Sequence, residues 1–150
     1  MKNQIKRLKD NLTIIRKAAG WSAESLGEKI GVTRQTINNI EAGKQELSQA
    51  QYMAIRYVLD KEILNNQDDT KMLAKLIDML IDNPDKYDPD KKTELVDEAE
   101  YIVPSINKGK SRKEVSDRWI KIASNILLGG VVGGLVGLSI ADVIKKINKK

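Results

Sequence analysis

The stretch SAESLGEKIGVTRQTINNIEAG, residues 22–43, decides the fold. Ser22 and Thr33 are residue types that cap the amino end of a helix, because a hydroxyl oxygen accepts a hydrogen bond from a free backbone amide. They predict helices over residues 23–30 and 34–41, each with apolar residues three to four positions apart on one face. The Gly-Val pair between them interrupts the pattern. The sequence therefore predicts two short helices joined by a tight turn.

Similar signals extend this pair of helices in both directions. Upstream, apolar residues at helical spacing predict a first helix that stops at Gly20; they are Ile5, Leu8, Leu12, Ile15 and Ala19. Downstream, Ser48 and Gln51 form a capping box for a fourth helix. Residues 60–66 are interpreted as a short fifth helix or an extension of the fourth. Since no alternating strand pattern occurs, we expect an all-α protein whose amino-terminal domain, residues 1–64, contains five helices.

The helix over residues 34–41 separates apolar from polar side chains. Ile37 and Ile40 point inward, and the outer face is polar: Arg34, Gln35, Asn38 and Asn39. An α-helix fits the major groove of DNA, where each base pair presents its own pattern of hydrogen-bond donors and acceptors. The preceding helix would then brace it across the phosphates. This arrangement is typical of a helix-turn-helix unit that reads double-stranded DNA.

Residues 12–59 resemble the phage Cro/repressor-type helix-turn-helix family, also called the xenobiotic-response-element family. The resemblance is carried by SAESLGEKI, by the turn Gly31-Val32-Thr33, and most specifically by TRQTINNIEAG at residues 33–43. It covers about a third of the chain. The resemblance implies a transcription regulator that binds DNA.

The family's functional positions map onto particular residues of this sequence. Base-reading positions correspond to Arg34, Gln35 and Asn39, since arginine can grip guanine and glutamine can grip adenine through two hydrogen bonds. Phosphate-contacting positions correspond to Thr33, Asn38 and Lys44. The resemblance also implies a structural salt bridge between Arg16 and Glu41.

The sequence departs from the family pattern at three positions. Ala23 stands where the family often has a polar residue that contacts phosphate, and Ala42 stands where it commonly has asparagine. Both polar contacts are therefore expected to be lost. Gly27 replaces the usual alanine, which would let the second and third helices pack closer at a helix-propensity cost of about 1 kcal/mol.

Net charge divides the chain into three parts: +4 for residues 1–60, −6 for residues 61–104 and +7 for residues 105–150. We interpret residues 65–110 as an acidic helical linker or oligomerisation segment that includes an amphipathic helix over residues 72–81. Residues 111–150 are interpreted as a long carboxy-terminal helix. A basic segment can bind the phosphates of nucleic acid or of lipid.

The carboxy-terminal helix contains a glycine-rich apolar stretch. Residues 122–141 carry no charged side chain and would span roughly 30 Å as a helix, about one hydrocarbon core. Gly129, Gly133 and Gly137 are spaced by four, which allows two helices to approach closely. Three interpretations stay open: a membrane anchor with lipid contacts through residues 122–150, a helix in an oligomer interface, and a surface-lying or flexible tail.

Composition excludes several kinds of chemistry. The chain has no Cys and no His, so disulfides, thiolate or imidazole catalysis and Cys/His zinc sites are excluded. Asp85, Asp88 and Asp90 are interpreted as a turn with a helix cap, because Pro84 and Pro89 lie next to them in the sequence. We expect no enzyme activity, no cofactor and no metal site.

Two functions are considered. The first is a sequence-specific, dimeric repressor in the cytoplasm, bound to the inner face of the cell membrane if residues 122–141 form an anchor. A homodimer or higher homo-oligomer is expected because one helix-turn-helix reads only a few base pairs, and the contacts between copies would come from residues 70–150. The alternative is a membrane or assembly protein whose glycine-rich helix is the functional part and whose helix-turn-helix serves for targeting or protein contacts.

Overall fold

The computed structural model describes residues 1–128, which form seven α-helices and no strand. The helices are α1 (Lys2–Ala18), α2 (Ala23–Ile30), α3 (Arg34–Glu41), α4 (Gln49–Asn65), α5 (Lys71–Ile77), α6 (Pro89–Ile102) and α7 (Arg112–Leu128). A π-helical turn continues α5 over Asp78–Asp82, and 3-10 segments cover Gln67–Asp69, Pro84–Lys86 and Val103–Lys108. The prediction of an all-α fold is confirmed over these residues.

The predicted capping residues begin the helices of the amino-terminal part. The Ser22 and Thr33 hydroxyls accept hydrogen bonds from the backbone amides of Ser25 and Thr36, at 3.0 and 3.1 Å. Ser48 and Gln51 form a complete capping box at the start of α4. These side chains satisfy amides that an isolated helix end leaves without a partner.

The five-helix count for residues 1–64 is not confirmed. Residues 60–65 extend α4 as one uninterrupted helix, so the structure has four helices before residue 66. Leu59 and Ile63, one turn apart and 1% exposed each, keep the buried face continuous. No glycine or proline interrupts the sequence there, and so nothing breaks the helix.

The helix α5 is buried on every side, which corrects the prediction of an amphipathic helix over residues 72–81. Every side chain from Met72 to Ile77 is buried, and Lys75 is only 1% exposed. The reason is its position, because α5 packs against α1, α4 and α7 together. Side chains on both sides of residue 64 thus belong to one hydrophobic core, while the division into three segments stays a prediction.

Two charged side chains buried with α5 are held by hydrogen bonds. The Lys75 ammonium donates to the Tyr87 hydroxyl at 2.9 Å, and that hydroxyl donates to the Asp78 carboxylate. Burial lowers the pKa of Lys75, and the Asp78 charge opposes the shift. Burial also raises the pKa of Tyr87, and its hydrogen bond to Asp78 raises it further. Buried polar groups cost free energy unless they are paired, and this chain of contacts pairs them.

Three arginines tie the amino-terminal helices to the rest of the chain. Arg7 donates to the carbonyl of Ile81 at 3.2 Å. Arg56 binds Asp82 through two hydrogen bonds of 2.6 and 3.0 Å. Arg112, at the start of α7, donates to the carbonyl of Ala19 at 2.9 Å and pairs with Glu62 at 2.9 Å.

Trp119 is a packing residue, fully buried, with its indole N–H donating to the carbonyl of Leu95 at 3.0 Å.

Within residues 1–128 no helix has the length and apolarity that crossing a bilayer requires. Most of the apolar stretch predicted at residues 122–141, including Gly129, Gly133 and Gly137, lies outside the described residues. Its three interpretations therefore stay predictions.

A chain cut after residue 66 is expected to be much less stable than one ending at residue 128. Removing α5 exposes the apolar surfaces of α1 and α4, and each large side chain left uncovered loses about 1.5–3 kcal/mol. Urea unfolding followed by circular dichroism should show a loss of several kcal/mol. Equal free energies of unfolding for the two chains would contradict the shared core and would establish residues 1–66 as an independent domain.

Candidate nucleic-acid interface

The helices α2 and α3 meet at a very close backbone contact. Gly31, in the left-handed region at φ 80°, ends α2, and the amide of Val32 donates to the carbonyl of Gly27 at 2.9 Å. A Cβ on Gly27 would lie 2.6 Å from the Val32 carbonyl oxygen, far inside contact distance. The glycine noted in the sequence as a departure is therefore required by the turn that sets α3 against α2.

The helix α3 is held by its apolar side and presents its polar side outward. Ile37 and Ile40 are at most 1% exposed and belong to the core. On the opposite side Gln35 is exposed, and its side-chain amide donates to the Asn39 side-chain oxygen at 2.9 Å. This hydrogen bond joins two predicted base-reading side chains one helical turn apart. Their amides form a continuous row of donors and acceptors.

Arg34 and Asn38 form a second pair one turn apart on α3. Both line a groove that also contains Ser22 and Ala23 at the start of α2. Arg34 is exposed, and Asn38 is half-buried. A predicted base reader and a predicted phosphate contact thus lie on the same side of α3, beside the Gln35–Asn39 pair.

The other two predicted phosphate contacts lie at the two ends of α3. Thr33 is exposed, but its hydroxyl is already used as the cap of α3 and lies 3.0 Å from the Thr36 hydroxyl. Lys44 is exposed and follows Gly43, whose φ of 76° turns the chain away from α3. Its backbone amide donates to the carbonyl of Asn39 at 2.9 Å, which fixes where the lysine leaves the helix.

The side chains of Arg16 and Glu41 form a two-bonded ion pair that connects α1 to the end of α3. The guanidinium donates to the two carboxylate oxygens at 2.6 and 2.9 Å. It also donates to the carbonyl of Trp21 at 2.9 Å, which joins the α1–α2 loop to the same group. Both side chains are 11% exposed, so water competes little for these bonds. The pair fixes the orientation of α3 relative to α1.

One element near this surface was not predicted as part of it. The 3-10 segment Val103–Lys108 contributes residues to the lining of the groove that Arg34 and Asn38 also line; they are Val103, Pro104, Ile106 and Asn107. In the sequence, residues 107–110 show only two lysines and a glycine, a signal too weak to place the segment beside α3. Only folding brings it there, because Asn38 and Val103, which are 65 positions apart in the sequence, line the same groove.

The described residues contain no group of three or more carboxylates suited to a metal ion. Asp88, considered above among three aspartates, caps α6 by accepting a hydrogen bond from the amide of Lys91 at 3.1 Å.

The comparisons with known proteins agree with this geometry for the first helices. The family model described as Helix-turn-helix matches residues 12–63. This segment is a helix-turn-helix of the Cro/repressor type, and the resemblance noted over residues 12–59 is confirmed. The match indicates a DNA-binding transcription regulator with double-stranded DNA as its partner. No curated protein and no solved structure was found to match the chain.

Replacing Gly27 with alanine is expected to destabilise the protein although alanine is the better helix former. The propensity gain is about 1 kcal/mol, whereas overpacking against fixed backbone costs about 1–3 kcal/mol. We expect a net loss of about 1 kcal/mol in urea unfolding. Glu28→Ala, on an exposed neighbouring position, is the control and should change stability by less than about 0.5 kcal/mol. A stability gain for Gly27→Ala would mean that the turn relaxes without strain.

Proposed function

We propose that this protein is a sequence-specific transcription regulator that binds double-stranded DNA as a dimeric repressor. The observation that carries the proposal is the outward pair of amide side chains, Gln35 and Asn39, on a helix whose other side is buried. Amides are the side chains that pair with adenine through two hydrogen bonds in the major groove.

In the proposed complex α3 lies in the major groove. Gln35, Asn39 and Arg34 face base edges, while Thr33, Asn38 and Lys44 face the phosphates of the flanking strands. The hydrogen bond between Gln35 and Asn39 limits the rotamers of both side chains before DNA arrives. Side chains ordered in advance lose less conformational entropy on binding, which favours affinity.

The dimer follows from the size of the reading surface. One α3 helix reads only a few base pairs, and a twofold dimer reads two half-sites about 34–36 Å apart. We propose that residues 70–150 supply the contacts between the two copies. Among these residues, Tyr101 on α6 is 78% exposed and is a large apolar side chain that a second copy would cover. Repression follows if the bound dimer occupies a promoter.

The proposal predicts the effect of removing the amide pair. An operator is first selected from random duplexes with the full-length protein, and affinities are then measured by fluorescence anisotropy at one fixed salt concentration. Gln35→Ala and Asn39→Ala should each weaken operator binding by about 1–3 kcal/mol, or roughly 5- to 150-fold. Binding to unrelated duplexes should stay nearly unchanged, because it depends on phosphate contacts.

Gln67→Ala is the matched control, since Gln67 is exposed at the start of the 3-10 turn Gln67–Asp69, outside α3. It should bind the operator like the unmodified protein. Failure of the selection to enrich any duplex would contradict the proposed function. Equal operator affinity for Gln35→Ala and Gln67→Ala would show that α3 is not the reading helix.

A further inference from the structure

A groove beside α3 separates the helix-turn-helix from the segment Val103–Lys108, and we call it the flanking groove. Its volume is about 520 Å³. One wall carries Lys17, Arg34 and Asn38, and the other carries Ile106 and Asn107. It is continuous with the proposed DNA interface, because Arg34 and Asn38 belong to both.

We propose that the flanking groove holds one sugar-phosphate strand of the DNA that α3 reads, and that Asn107 and the adjacent Lys108 donate hydrogen bonds to its phosphates. This inference rests on the proposed function. It makes the 3-10 segment after α6 a second, non-specific part of the DNA-binding surface, so that phosphates are contacted from both walls.

The charges of the groove suit a phosphate strand. Lys17 and Arg34 face it from the helix-turn-helix side, whereas Arg16 is neutralised by Glu41. Glu24 is the acidic side chain of the lining. The exposed Lys108 is not itself a lining residue, but it follows the lining residue Asn107 in the chain and adds a positive charge next to it. A groove with excess positive charge attracts phosphates and releases their counterions.

Hydrogen-bond donors are also distributed between the two walls. Ala23, in the wall at the start of α2, offers no side-chain donor. Asn107 lies in the opposite wall and is exposed, so its amide is available to a phosphate oxygen. The 3-10 segment thus supplies an amide donor to a groove in which Ala23 supplies none.

The second wall is fixed in place by the core and by one arginine. Val103, at the start of the segment, is 4% exposed, and the amide of Lys110 donates back to the carbonyl of Ser105 at 3.1 Å. Just beyond it, Arg112 donates to the carbonyl of Ala19 at the end of α1. These contacts hold the segment that carries Asn107 and Lys108 beside the helix-turn-helix.

The test compares Lys108→Ala with Lys86→Ala in the full-length protein, using the selected operator and an unrelated duplex over a series of salt concentrations. Lys86 is an exposed lysine in the 3-10 turn Pro84–Lys86. That turn adjoins the π-helical turn whose carbonyl accepts a hydrogen bond from Arg7, and Arg7 lies towards the opposite end of α1 from Lys17. Lys108→Ala should weaken binding to both duplexes about fivefold. It should also reduce the slope of the logarithm of the binding constant against the logarithm of salt concentration by about 0.9. Lys86→Ala should change neither quantity.

A cleavage experiment locates the strand directly. The chain has no cysteine, so Asn107→Cys and Lys86→Cys can each be labelled at one position with an iron chelate that generates hydroxyl radicals. The label at residue 107 should cut the operator backbone at a defined place beside each half-site, and the label at residue 86 should leave the operator uncut. Thermal melting of each variant checks that it is folded.

The outcomes separate this inference from the proposed function. Operator binding that depends on Gln35 but not on Lys108, with no cutting from residue 107, overturns the groove inference and leaves the proposed function intact. Tighter binding by Lys108→Ala also overturns it, because the segment would then obstruct DNA. If the unmodified protein enriches no duplex, both proposals fail.

Discussion

Because α5 is buried from Met72 to Ile77, helices from both ends of the described chain pack into one hydrophobic core. The side chains of α5 meet α1, α4 and α7 at once, and even Lys75 lies in the interior. A helix that has no solvent-facing side requires apolar surface around its whole circumference. The amino-terminal helices and the carboxy-terminal helices supply that surface together. The helix-turn-helix therefore shares its hydrophobic core with the helices that follow it.

This shared core gives α3 a firm support. The orientation of α3 depends on α1 through the Arg16–Glu41 pair, and α1 is itself held by α5 and by the π-helical turn that follows it. The contact between Gly27 and the Val32 carbonyl fixes α3 against α2. Local turn chemistry and long-range packing thus act on the same short helix, so its exposed amides have a defined direction.

Local signals in the sequence predicted the elements well, and long-range placement could not be predicted from them. Caps at Ser22, Thr33 and Ser48 begin the predicted helices, because a hydroxyl and the nearby amides are all the information a cap needs. The complete burial of α5 was missed, since Lys75 and Asp78 look like a solvent-facing side until Tyr87 pairs with them. The polar face of α3 was predicted from the helical spacing of its apolar and polar residues alone.

The charge pattern along the sequence is also a poor guide to long-range placement, and it did not predict that the 3-10 segment lies beside the flanking groove. Counted along the sequence, residues 61–104 form an acidic middle of net charge −6. In the folded chain some of these carboxylates bind arginines of the basic segments, as Asp82 binds Arg56 and Glu62 binds Arg112. The charge separation read from the sequence is therefore smaller in the folded protein. Arg56 and Arg112 hold helices of the core together. The exposed cations around the proposed DNA surface include Lys17, Arg34, Lys44 and Lys108.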